Sequence, residues 1–434
     1  LLDRWFPDDD GLLYEMDDRH VVNDSGRRVT SYDARLLAPP WPLHAERLAL
    51  GASDPELYRW HFEPRGRSEH ADLGSIIDLA RLFDPARTPD PDFDERAPES
   101  IDVESFLRVL AVRRNTDDWD TWGGRRGKNA YLYRSEHDGR FHLIPWDMEL
   151  TFGSPLAFLP PSLESEPAGA FAEVRRLLER PSFRRRYLQL LAELARGPLS
   201  SAFLEPLLGR LDARGMLGTE AGRPGGFIDE RRRLLEELLH DARHPELALA
   251  IDGTTTDAST SKTVIRGRAA LDIVTVLVSA PVEPGDLEDA FATLGAGHPL
   301  EWEARFALAP GSHPIEAIGF DATGGLVARI EARITVEPRG ELFVRGDADG
   351  SGRIDVSDAV TIIRAALGLI GGDQLDCDDA LDANDDGRID IADSLFLLRA
   401  LFASGSPPPP PFPDRGHDPT PDALECDGSS RLDP

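Results

Sequence analysis

Lysine is nearly absent from this chain. Of 48 Lys+Arg only Lys128 and Lys262 are lysines, against 78 Asp+Glu and a net charge of −30. Such a balance leaves no basic face to neutralise a phosphate backbone, so nucleic acid is excluded as a general partner. No run approaches the ~20 apolar residues of a bilayer span, and no transmembrane segment is expected. Two cysteines, Cys377 and Cys426, are too few for a disulfide-built scaffold, and no His/Cys set has zinc spacing. An initiating Met and a signal-like segment are also missing. The chain opens Leu1-Leu2-Asp3 inside an amphipathic run, which reads as part of a longer reading frame, so missing targeting signals carry no weight.

What is present suits about three globular domains: 434 residues, 41% of them hydrophobic. Residues 1–245 carry helical apolar periodicity at Glu104–Val112, Ala170–Leu178, Ser182–Leu194 and Phe227–Leu239. Between them, Ala130–Tyr133 and Phe141–Pro145 read as a hairpin turning at Asp138-Gly139. This first region is expected to be an α+β domain rich in helix. Residues 250–340 change to short β-rich runs (Ser261–Ile265, Ile273–Val278, Leu300–Phe306, Pro314–Phe320, Leu326–Val336), the pattern of a small immunoglobulin-like β-sandwich. Residues 342–403 hold an internal repeat, and residues 404–434 form a tail containing five consecutive prolines, a linker or tail by composition.

The repeat has the spacing of an EF-hand calcium loop. Asp347, Asp349, Ser351, Arg353, Asp355 and Asp358 occupy positions 1, 3, 5, 7, 9 and 12, with Gly352 at position 6. Thirty-five residues on, Asp382, Asn384, Asp386, Arg388, Asp390 and Asp393 repeat the arrangement around Gly387. Ca²⁺ takes six to eight oxygens; the glycine permits the turn and position 7 offers its backbone carbonyl. An apolar helix is expected after each loop, at Ala359–Leu369 and Ser394–Phe402, whereas only the strand-like Glu341–Val344 precedes the first. Position 12 is Asp where an EF-hand has Glu. The pattern resembles dockerin domains, in which two loop–helix calcium motifs pack as a pair, and that resemblance implies a cohesin-like or cell-surface partner. A Cys377–Cys426 bridge would staple the tail onto the repeat, and an oxidising, extracellular compartment is where it would persist.

The densest chemical constellation is Asn115–Gly153. A helix ends near Arg114, and a Gly-rich loop follows with Asp117, Asp118 and Asp120. Asn129 opens one strand of the hairpin and Asp147 closes the other. Phosphoryl transfer from ATP needs such a set: one Asp for the acceptor hydroxyl, and an Asn with a second Asp for Mg²⁺. On the residues alone, solvated acidic loops remain the alternative.

The segment resembles the spore-coat protein H (CotH) kinase family. The matching residues are Trp119-Asp120-Thr121, Asn129-Ala130-Tyr131-Leu132-Tyr133 and Ile144-Pro145-Trp146-Asp147, closing with Thr151-Phe152-Gly153. Upstream, Phe6 to Glu15 resembles the family's segment after the hinge, and Arg180–Arg184 and Phe227–Arg231 its C-terminal helices. The resemblance implies a protein kinase-like C-lobe over residues 1–245, Asp120 as the catalytic Asp, and Asn129 and Asp147 as Mg²⁺ ligands. Glu149 stands where family members often have a second Asp. No lysine is placed to pair the ATP phosphates from an N-lobe strand, so the chain as given is expected to be incomplete for catalysis. Lys128, beside Asn129, could meet a phosphate or simply face solvent.

The expectation is therefore a secreted multidomain protein made of three parts: the C-lobe, the immunoglobulin-like sandwich and the α-helical dockerin-like calcium pair. It would transfer the ATP γ-phosphoryl group, with Mg²⁺, to Ser or Thr of a protein and hold two Ca²⁺. The alternative is a non-catalytic extracellular scaffold, attached through the repeat to a surface or a polysaccharide-degrading complex.

Overall fold

The computed structural model describes residues 6–7, 10–16, 19–22, 28–32, 58, 61–65, 73–123, 128–148, 151–152, 172–215, 223–240, 248–257, 262–283, 286–336, 339–370, 375, 377–420, 424 and 426. They divide into two units, Leu1–His244 with Gly295–Pro299, and Pro245–Leu294 with Leu300–Pro434.

In the first unit, strand β1 (Leu12–Met16) is followed by a separate pair, β2 (Arg19–Val22) and β3 (Arg28–Tyr32), and then by β4 (Phe62–Arg65). The expected hairpin forms as β5 (Ala130–Arg134) and β6 (Phe141–Pro145). A four-stranded antiparallel sheet results, in the order β4-β1-β5-β6. Register puts Tyr14 beside Leu132 and Leu132 beside Leu143, a buried row across three strands, with Met16 and Ala130 in the next row of the same face.

Helices α1 (Leu73–Phe83), α2 (Asp90–Ser100), α3 (Val103–Asn115), α4 (Ala172–Glu179), α5 (Pro181–Arg196), α6 (Ser201–Asp212) and α7 (Arg223–Leu239) complete the unit. α3 packs against β6 and α5, and its Phe106, Leu107 and Leu110 are buried. Arg113 and Arg114 continue its buried stripe one turn later. Pro181 opens α5 at its first helical position and Gly197 follows its last. Since Ala130 lies opposite Pro145, the residues just beyond the ladder, Asn129 and Trp146, meet at one end of the sheet.

The second unit begins with β7 (Leu249–Thr256), β8 (Thr263–Ala269), β9 (Thr275–Glu283), β10 (Asp286–Phe291), β11 (Thr293–Leu294), β12 (Glu301–Phe306), β13 (Gly311–Phe320) and β14 (Leu326–Val336). They form two antiparallel sheets, β10-β9-β13-β14 and β11-β12-β8-β7. Alternate residues from both fill one core, including Ile265, Val276, Val278, Trp302, Phe306, Ile315 and Ala317. The β-rich reading of this region holds at that level; β7, β10 and the short β11 come in addition to the expected runs.

The calcium repeat contains α8 (Val356–Ala366), the single turn α9 (Asp378–Leu381) and α10 (Ile391–Phe402) around Ala359, Ile362, Leu381 and Leu397. Strand β15 (Arg339–Phe343) precedes it and pairs with β16 (Gly416–Asp418). The tail thus returns to the repeat, whereas its composition alone reads as a linker.

Trp302 is fully buried, and its indole occupies the space over Gly267 in β8. A Cβ at residue 267 would stand 2.0 Å from the Ala250 carbonyl oxygen and 2.4 Å from the Trp302 ring. Gly267→Ala is expected to destabilise the sandwich by roughly 2–3 kcal/mol through overpacking. Calorimetry of the chain should show one transition moved down while the others stay.

Candidate functional site

The acidic constellation is assembled around one guanidinium. Arg113, 1% exposed at the end of α3, donates to the carbonyl of Asn129 (2.7 Å) and to that of Trp146. It also pairs with the fully buried Asp118 carboxylate at 3.2 Å. One side chain therefore ties the loop after α3, the start of β5 and the end of β6 together. The Trp146 amide reinforces this by donating to Asn129 O (3.1 Å), and the Phe152 amide by donating to Thr116 O (2.6 Å).

The backbone here is held in an uncommon conformation. Of the six non-glycine residues with positive φ among those described, four lie at this site: Asp117, Asn129, Asp147 and Phe152, at 57°, 56°, 51° and 58°. Asn and Asp tolerate the left-handed region better than other residues, and such strain concentrates at functional sites.

Within this frame Asn129 grips Asp120. Its Nδ2 donates to the Asp120 carbonyl at 2.7 Å and to Asp120 Oδ2 at 3.3 Å. Lys128 Nζ lies 3.1 Å from the same Oδ2. Among the described residues, Asp120 Oδ1 is buried without a hydrogen-bond partner. Asp147 is exposed beside the half-exposed Trp146, whose ring meets Tyr131 edge-on at 5.4 Å. Its charge nevertheless reaches both Arg113 and Asp118. Burial outweighs the Arg113 guanidinium and, with like charge from Asp120 and Asp147, pushes the Asp118 carboxyl up to about 6. A second buried arginine, Arg231 of α7, stands 4.0 Å from Asp117, and burial draws it down to about 10.

The structure thus brings together Asp120, Asn129, Asp147 and Lys128; Glu149 and Gly153 lie outside the described residues. Arg113 and Arg231 escape a reading by motif, although Arg113 could be found as an arginine prolonging the apolar stripe of α3. The donor set suits a hard cation. Asp147 offers a carboxylate, and Asn129, with Nδ2 committed to Asp120, offers Oδ1.

The two calcium loops fold alike. In the first, the Gly352 amide donates to Asp347, and both oxygens of buried Asp358 accept, from the amides of Asp349 (3.2 Å) and Asp355 (2.8 Å). In the second, Gly387 donates to Asp382, and Asp393 accepts from Asn384 (3.3 Å) and Asp390 (2.8 Å). Carboxylate oxygens of Asp347, Asp349 and Asp358 lie within 4.8 Å of one another. Burial, with charge from Asp349 and Asp347, pushes Asp358 up to about 6, and burial does the same to Asp393. Asn384 Oδ1 is buried with no hydrogen-bond partner among the described residues. Carboxylate oxygens gathered around the buried Asp358 fit Ca²⁺.

The other loop positions have further duties. Asp355 and Asp390 cap α8 and α10, each in a capping box with the Asp at position 12. Ser351 Oγ donates to the Arg353 carbonyl at 3.2 Å. The amide of Asp386 donates to Asp382, while its own side chain and that of Arg388 are exposed.

Arg345 organises this module much as Arg113 organises the first site. Fully buried, it donates to the carbonyls of Pro410 (3.0 Å) and Asp382 (2.9 Å) and pairs with Asp385 (2.9 Å) and Asp418 (2.6 Å). Its own amide donates to Pro411 O at 2.7 Å. Thr420 Oγ1 donates to Asp385 at 2.6 Å, and Cys377 and Cys426 are joined by a disulfide. The tail is thereby strapped to the second loop.

The raised Asp118 carboxyl has a consequence for stability. An acid whose folded pKa (about 6) exceeds its unfolded value (about 4) holds its proton longer when folded, so its contribution to stability falls as pH rises between those values. Asp118→Asn removes that dependence. Relative to the parent, the variant should gain about 2 kcal/mol between pH 4 and pH 6 and change little above, as read by urea unfolding across that range.

Comparison with known proteins finds matches over the regions that hold these two sites. Over 126 residues the chain is 27% identical to inner spore coat protein H of Bacillus subtilis (strain 168); the match takes in 29% of this chain and 34% of that protein. The chain thus spans about a third of that relative's length. The family profile described as CotH kinase protein matches residues 6–215, and that of the dockerin type I domain matches residues 345–402. The chain carries a CotH kinase family domain followed, beyond a β-rich region, by a dockerin type I domain.

Proposed function

We propose that the CotH kinase domain transfers the γ-phosphoryl group of ATP to a Ser or Thr hydroxyl of a protein. The observation that carries this reading is the grouping of Asp120, Asn129 and Asp147 around Arg113, with Asn129 holding one face of Asp120. Asn129 Oδ1 and the Asp147 carboxylate are the groups that would hold Mg²⁺, which when bound supplies charge neutralisation to the phosphates. Asp120, whose Oδ2 is engaged by Asn129 and Lys128, is the carboxylate that would orient the acceptor hydroxyl and take its proton. The buried Arg113–Asp118 pair holds the loop that carries Asp120.

In this reading the dockerin domain, with a Ca²⁺ in each loop, attaches the kinase domain to a cohesin-type module outside the cell. Dockerin domains are typical of extracellular proteins, and no described helix is long and apolar enough to cross a membrane. A second reading draws on the half-exposed Trp146 against Tyr131, an aromatic platform beside Asp147. There the kinase-like fold serves recognition only, in a scaffold attached to a surface or a polysaccharide-degrading complex.

Labelled γ-phosphate from MgATP, offered to the protein, should enter protein. Asp147→Asn and Asp120→Asn should each lower the rate by at least ~100-fold. A folded parent that neither binds MgATP nor incorporates label would exclude the enzyme and leave the recognition module.

Chelation of Ca²⁺ should lower the melting temperature of the C-terminal module and abolish capture by a cohesin. Arg345→Met should weaken the second loop's Ca²⁺ affinity more than the first's, since Arg345 contacts Asp382 and Asp385. Calcium titration calorimetry separates the two sites, and equal weakening of both would contradict the expectation.

A further inference from the structure

Phe152 is held in a backbone conformation that its side chain disfavours. Its φ is 58°, in the left-handed region where a Cβ crowds the following carbonyl oxygen. Asp117, Asn129 and Asp147 share that region, but Asn and Asp enter it far more readily than a bulky aromatic residue. Glycine would carry the same backbone without strain. The strain is therefore kept for the sake of the ring, and the ring does not fill the core: Phe152 is 38% exposed.

The ring is supported from one side. Phe227 of α7 meets it edge-on with centroids 6.1 Å apart, and the guanidinium of the buried Arg231 lies 5.2 Å from the Phe227 centroid. The Phe152 amide donates to Thr116 O, which anchors the residue to the loop leading to Asp120. A second exposed ring, Trp146, leans instead on Tyr131 of β5, the strand that Asn129 opens. Each ring thus belongs to a different half of the site: Trp146 to the half with Asn129 and Asp147, Phe152 to the half with Asp120.

Resting on the phosphoryl-transfer reading, we propose that Phe152 is a specificity-determining residue. Its ring receives an apolar side chain of the acceptor protein, flanking the Ser or Thr that Asp120 orients. An exposed aromatic face gains by being covered with apolar surface, which a Leu, Ile, Met or Phe of the acceptor supplies. The tie to the Asp120 loop assigns the ring to the acceptor and not to the nucleotide. A glycine at this position would lose the contact together with the strain, so strain and recognition are kept as one feature.

The test uses the protein as parent, with Phe152→Gly, Phe152→Ala and Phe152→Leu. Labelled γ-phosphate from MgATP is offered to peptides with a single Ser, in which each flanking position is set in turn to Leu, Phe, Ala, Asp or Lys. The parent should favour Leu or Phe over Ala about 10-fold at one flanking position. Phe152→Gly and Phe152→Ala should reduce that preference to within about twofold through a higher KM, and Phe152→Leu should keep most of it. MgATP affinity, read by calorimetry, should stay within about twofold in all three variants. Phe152→Gly should melt above Phe152→Ala, since glycine accepts the left-handed φ and alanine does not; loss of selection in the more stable variant separates recognition from folding. Retained selection in Phe152→Gly, or a parent that transfers label without apolar preference, overturns the proposal and leaves phosphoryl transfer standing. Loss of MgATP affinity in all three variants also overturns it, assigning the ring to the nucleotide or to the fold. A parent that neither binds MgATP nor transfers label fails at the underlying reading, and this assignment falls with it.

Discussion

A guanidinium buried at the end of a helix is what the kinase-family site depends on. Three segments distant in sequence must end together there: the loop after α3, the entry to β5 and the exit from β6. Each brings backbone polar groups that the strand ladder no longer satisfies, because the ladder stops at Ala130 and Pro145. Leaving such groups buried and unpaired costs roughly 1–3 kcal/mol each. Arg113 answers with planar donors to two carbonyls and with its charge to one carboxylate. Lysine could not reach in three directions from one atom at the required angles. The left-handed residues at 129 and 147 flank the carbonyls it binds, at Asn129 itself and at Trp146. Strain and clamp are therefore parts of the same arrangement.

The C-terminal module repeats the solution with Arg345. Its partners are again carbonyls near chain reversals, at Pro410 and Asp382, plus two carboxylates, Asp385 and Asp418. A proline-rich tail cannot donate many backbone hydrogen bonds, so its acceptors must be met by something else. Arg345 supplies those donors, which is why a segment that reads as a linker lies against the repeat.

This also explains what was legible in the sequence. Glycine, asparagine and aspartate at fixed spacing announce the calcium loops, since their roles are local. The hairpin is legible because β5 and β6 are short apolar runs joined across Asp138-Gly139. The grouping of Asp120, Asn129 and Asp147 follows from the hairpin and from a family motif. Arg113, Arg231 and Arg345 are hidden for the opposite reason: most of their partners lie outside their own local segment, and among so many arginines none is conspicuous. Helix α2 is hidden by Pro91 and Pro98; it forms because Phe93 and Ala97, one turn apart, are both fully buried. Helix α6 has no buried residue and contains Pro206, so no apolar stripe marks it.

The two sites differ in how buried negative charge is balanced, and that difference sets what each needs in order to fold. In the first unit Asp118 and Asp117 have arginines of the same unit as counter-ions, and Asp120 has Lys128. Its acids are matched by the polypeptide, so the frame can stand without a cation. In the calcium loops Asp358, Asp382 and Asp393 are fully buried against amide donors, which orient a carboxylate without neutralising it. Arg345, fully buried in the same module, pairs with Asp385 and Asp418 and does not pair with these three among the described contacts. Full burial of several unmatched carboxylates is costly enough that proton or metal must supply the missing charge.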